Sequence, residues 1–130
     1  MTRQTDDVMV SFEQMPSYEI LERDWRELEA RSDSSYFTSW SWIGCWLASL
    51  PSSVNTRLLC ATFHGRVVGL GILVARTRIR YGWLTSRSLF LHTTGDPVLD
   101  DITTEYNGFL TDRTMSQLVV RRFIEYLSLA

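Results

Sequence analysis

The chain has 130 residues, 45% of them hydrophobic and 22% charged, with a formal net charge of -2. That length fits one domain with a buried core, and the near-neutral balance excludes a global basic field of the kind that gathers nucleic acid. All thirteen basic residues are arginine, which leaves no lysine for a Schiff base or a phosphate-binding loop.

Residues 8–15, "VMVSFEQM", read as an opening strand rich in β-formers. Pro16 and Ser17 punctuate it, and Ser17 is placed to cap a helix. Tyr18, Leu21, Trp25 and Leu28 then recur at three- and four-residue steps, with charges filling the gaps. That spacing predicts an amphipathic helix of about 14 residues, ended by "RSDSS". A second helix is expected from Ser39 to Leu50, stopped before Pro51. On it Ile43, Trp46, Leu47 and Leu50 fill one apolar arc with Trp42 and Trp40 at its edges, while Ser41, Gly44, Cys45, Ala48 and Ser49 form a small opposite face. The pattern predicts a helix covered on both sides. Trp46 is then core, and Trp40, near the helix start, is the tryptophan of the three nominated for a ligand surface. The helix carries no charge, which excludes a basic membrane-surface helix. Serines and Pro51 exclude residues 34–56 as a membrane span.

A hairpin follows, with strands at 57–63 and 67–75 around "HGR", where Gly65 supplies the positive φ of a tight turn. Strict alternation puts Val68, Leu70, Ile72 and Val74 on one face, with Gly69 and Gly71 on the other. Arg76, Arg78 and Arg80 share the parity of the apolar set, so either the strand stops near Ala75 or a bulge flips the face there. Residues 88–95 predict a further strand and 105–112 a short extended piece. Thr114 with Gln117 has the spacing of a capping box, opening a helix from Met115 whose stripe is Leu118, Val119, Phe123, Tyr126 and Leu127. This helix runs into Ala130 without a glycine or basic cap, so the single domain at 1–130 is expected to be the front portion of something longer.

Gly69-Leu70-Gly71 lacks the third glycine of a dinucleotide fingerprint and lies within a strand, so it reads as a packing device. His64 and His92 have no partner at a recognisable catalytic spacing and read as surface histidines, His92 having the better functional case. "HTTGDPVLDDITTEYNG" is the most function-like stretch. Asp96, Asp100, Asp101 and Glu105 supply carboxylates there, and Tyr106 and Asn107 add directional hydrogen-bonding groups. Such a segment can bind an amine or hydroxyl substrate or hold a general base, or it can be a solvated acidic loop with an Asp96-Pro97 turn. No cysteine or histidine pair fixes a metal-ligand spacing, so no metal is expected. Cys45 and Cys60, in apolar surroundings, are expected as buried free thiols. The N-terminus lacks the basic-then-apolar order of a signal peptide. A cytoplasmic protein without a membrane span follows.

The element order, α+β with strand–helix–helix followed by antiparallel strands and a helix, resembles the first half of the GNAT acyltransferase fold. The wording "WRELEARSDSSYFTSWSWIGCWL" followed by "LLCATFHGRVVGLGILV" resembles the N-terminal region of CelD-type and FemAB-like acyltransferases. There a Trp-x-x-Leu helix leads into Phe-x-Ser-x-x-Trp and then a hairpin. The matching positions are Trp25 and Leu28, then Phe37, Ser39 and Trp42, then Arg57 to Val74. "GDPVLDDITTEYNGFL" is similar to the glycine-to-acidic stretch of those families.

The resemblance implies transfer of an acyl group from a CoA thioester or tRNA ester to an amine or hydroxyl of a small-molecule or cell-envelope acceptor. Acetyl-CoA or another acyl-CoA is then the co-substrate. The usual donor signature, a glycine loop before a helix, is missing ahead of Met115, so donor binding is expected outside this segment, in a second half against which it packs. The acceptor-side candidates are Trp40, Asp96, Glu105, Tyr106 and Asn107. The alternative is a non-catalytic sugar or peptide recognition module, with Trp40 as a stacking surface, or a purely structural interaction domain.

Overall fold

A computed structural model of the chain describes residues 8–33, 36–51, 54–80, 84–91 and 108–128, with residue 37 and the strand residues 75–80 and 84–91 described by backbone alone. The chain is α+β. Strand β1 (Val8–Gln14) leads through helix α1 (Tyr18–Glu29) and a short 3-10 turn (Tyr36–Thr38) into α2 (Trp40–Ser49). Strands β2 (Thr56–Phe63), β3 (Arg66–Arg80) and β4 (Leu84–Leu91) follow, then β5 (Leu110–Thr111) and α3 (Ser116–Ser128). The sheet is antiparallel in the order β1-β2-β3-β4, and β5 also pairs with β3.

Alternation along the strands divides the core into two layers. Leu58, Cys60, Leu70 and Ile72 face Leu21, Trp25 and Leu28 of α1 and Trp40 and Ile43 of α2. Leu59, Ala61, Val68 and Leu73 face Met115 and, on α3, Val119 and Phe123. The helix pair therefore covers one face of the sheet and α3 the other, so every residue of β2 from Leu58 to Ala61 is buried.

The two helix starts follow the sequence pattern. The Ser17 hydroxyl accepts from the Ile20 amide, and the Ser39 hydroxyl accepts from the Trp42 amide, each serving an otherwise unpaired first-turn donor. The α1 carboxylate of Glu29 also accepts from the Trp40 amide at 2.8 Å, so one helix helps cap the next. The β2–β3 turn has positive φ at both His64 (51°) and Gly65 (77°), the backbone a two-residue type I′ hairpin needs.

Four expectations change. First, β3 does not stop or bulge near Ala75. It continues to Arg80 in unbroken register with β4. The bulge lies earlier, where Ala61 pairs with Gly69 but Thr62 with Val67. Val68 is the extra residue, and the bulge carries it to the α3 face instead of the face of Leu70 and Ile72. Second, the small face of α2 is not covered: Ser41, Cys45, Ala48 and Ser49 are exposed, while Gly44 is buried. A Cβ on Gly44 would meet the Trp40 ring and the Tyr18 hydroxyl at 2.9 Å, so glycine there permits the close approach of α1. Third, the Thr114 hydroxyl donates to the Asp112 carboxylate at 2.7 Å and α3 begins at Ser116. Asp112, rather than a Thr114–Gln117 box, organises that start. Fourth, Tyr126 is 36% exposed and stands outside the stripe that Val119 and Phe123 anchor. Of the expected 88–95 strand and 105–112 extended piece, residues 92–95 and 105–107 lie outside the described residues.

Candidate functional site

Among the described residues, the densest polar cluster forms where three segments meet. Arg31 follows the end of α1, Arg66 opens β3, and Asp112, Arg113 and Thr114 make the turn from β5 into α3. Pairing of β5 with Gly69 and Leu70, continued by the Asp112 amide donating to the Val68 carbonyl at 2.9 Å, brings Asp112 beside the start of β3. Arg31 donates through Nη1 to Asp112 Oδ2 at 2.6 Å and through Nη2 to the Val67 carbonyl at 2.8 Å. The other carboxylate oxygen accepts from the Thr114 amide at 3.0 Å and from its hydroxyl. In return the Arg113 amide and Nε donate to the Arg31 carbonyl at 2.9 and 3.3 Å, and its Nη2 to the Ala30 carbonyl at 3.3 Å. Arg113 thereby serves the carbonyls left open at the end of α1.

Arg66 stands farther out. Its guanidinium is 4.0 Å from Asp112, beside a depression of about 320 Å³ lined by Ala30, Arg31, Arg66, Asp112, Arg113 and Thr114. Burial pushes the Asp112 carboxyl up, but the Thr114 hydroxyl and amide and the Arg31 guanidinium outweigh it and hold the group below its usual range. A carboxylate kept ionised with both oxygens engaged is a poor proton acceptor. The cluster works as a clasp between α1 and the β5–α3 turn.

Of the nominated site residues, Trp40 needs correction. It is 3% exposed, with its ring 5.1 Å from Tyr18 and 6.3 Å from Trp25. It is a core residue and offers no stacking surface. Trp46, expected in the core, is half-buried. The reason is the direction of α1: it approaches the start of α2, so the tryptophan at the edge of the arc is enclosed. Exposed aromatics beside this helix are Tyr18, at 45%, and Tyr36, at 62%, the latter with its ring 5.8 Å from that of Trp42. Asp96, Glu105, Tyr106 and Asn107, with Asp100, Asp101 and His92, lie outside the described residues, as do the side chains of Arg76, Arg78 and Arg80. His64 is exposed in its turn.

Four of the residues that carried the family resemblance have structural tasks. Leu28 and Trp25 are buried, the latter donating from its indole to the Thr38 carbonyl at 2.8 Å. Ser39 caps α2, and Trp42 packs against the core. The Arg31–Asp112 clasp escaped sequence reading because its partners are 81 positions apart and neither sits in a motif.

Cys45 is exposed, contrary to expectation, and Cys60 is buried. Burial, with the nearby Glu13 and Asp24 charges, pushes the Cys60 thiol up to about 11, which keeps it protonated and unreactive at neutral pH. A thiol reagent should therefore label one cysteine of the native chain quickly and the second only on unfolding. Cys45→Ser should abolish the fast phase; a fast phase surviving in that variant would contradict this assignment.

No group of three or more His, Cys, Asp or Glu among the described residues could hold a metal ion. No helix among them is long and apolar enough to cross a membrane. Comparison with protein-family models, with curated proteins and with solved structures found no match.

Proposed function

We propose that the chain forms the scaffold and acceptor side of an N-acyltransferase of the GNAT-like, CelD-type or FemAB-like group, with donor binding supplied by a second half. The observation that carries this reading is the element order: β1, then a helix pair on one sheet face, then the β2–β3–β4 meander, with α3 on the opposite face. Apart from the added two-residue β5 between β4 and α3, that order resembles the first half of the GNAT fold.

In the proposed reaction the deprotonated acceptor amine attacks the thioester carbonyl. The C–N bond forms and the C–S bond breaks. The CoA thiolate leaves and takes up a proton, and the proton lost by the acceptor goes to a carboxylate or to water. Asp96 and Glu105 are the carboxylates assigned to the acceptor.

The test is release of free CoA thiol by the full-length polypeptide, given acetyl- and longer acyl-CoA donors with amino-sugar and amino-acid acceptors. Acceptor-dependent release is expected, falling by about 100-fold in the Asp96→Ala/Glu105→Ala double variant, the scale of a lost general base. Release that never depends on an acceptor would overturn the reading. Full activity in the double variant would remove the two carboxylates from it.

A further inference from the structure

We draw no further inference here: the strongest candidate, the uncharged outer face of α2 formed by Ser41, Cys45, Ala48 and Ser49, carries nothing because nothing among the described residues shows what covers it.

Discussion

Asp112→Ala is expected to cost about 3 kcal/mol of folding stability, the scale for removing one partner of a largely buried ion pair. The Asp112 side chain is 9% exposed and that of Arg31 20%, so the stranded guanidinium would lie mostly out of water, still donating to the Val67 carbonyl but without its counter-charge. Asp112→Asn should cost less, about 1–2 kcal/mol, because an amide oxygen can still accept from Thr114. The effect has a sign in pH. The folded carboxyl titrates below its usual value. Its contribution is therefore fully present above the unfolded pKa of about 3.9 and is lost as pH falls through the folded one. Urea unfolding of the native chain and Asp112→Asn should differ most near neutral pH and converge in acid. A gap that does not begin to shrink as pH falls below the unfolded pKa of about 3.9 would show that Asp112 contributes through its shape and not its charge.

Gly69→Ala should be nearly as costly, for the opposite reason. A Cβ at Gly69 would stand 2.4 Å from Val119 Cγ1 and 2.9 Å from Phe123 Cζ. Both are fully buried, so neither can swing into solvent to make room. The methyl must either push α3 off the sheet or force both side chains from their rotamers, a cost of about 3 kcal/mol at the upper end for overpacking. Val119→Ala removes the clashing methyl and alone should cost about 2 kcal/mol for the lost burial and residual cavity. The double variant is expected to be more stable than the sum of the two singles by at least about 0.5 kcal/mol, as for residues in direct contact. Simple additivity would mean that Gly69 does not meet Val119.

What could be read from the sequence was mostly local. The cap at Ser17, the α1 stripe of Leu21, Trp25 and Leu28 (though not Tyr18, read with them and exposed), and the Gly65 turn each depend on neighbours within a few positions, and each is found. The failures share a different cause. Alternation along β3 carries no sign that Val68 is an extra residue, because the bulge is defined by pairing with β2. A helical wheel groups Trp40 and Trp46 around one arc but says nothing of which end α1 crosses, and the contacts of Tyr18 and Trp25 with Trp40 decide that. Cys45 looked buried for the same reason: a small uncharged face is compatible with being covered and with being bare. The clasp joins residues 31 and 112 and needed three-dimensional pairing to be seen. Of the nominated site only Trp40 falls among the described residues, and it belongs to the core.

The placement of β4 and β5 bears on how freely the acidic stretch can vary. Both strands lie along β3, β4 ending opposite Leu73 and β5 beginning opposite Leu70. Whatever joins them departs and returns three β3 residues apart, so its ends are fixed by the sheet. Rewriting the sequence between Leu91 and Leu110 therefore leaves both attachment points on β3 to be met, opposite Leu73 and Leu70.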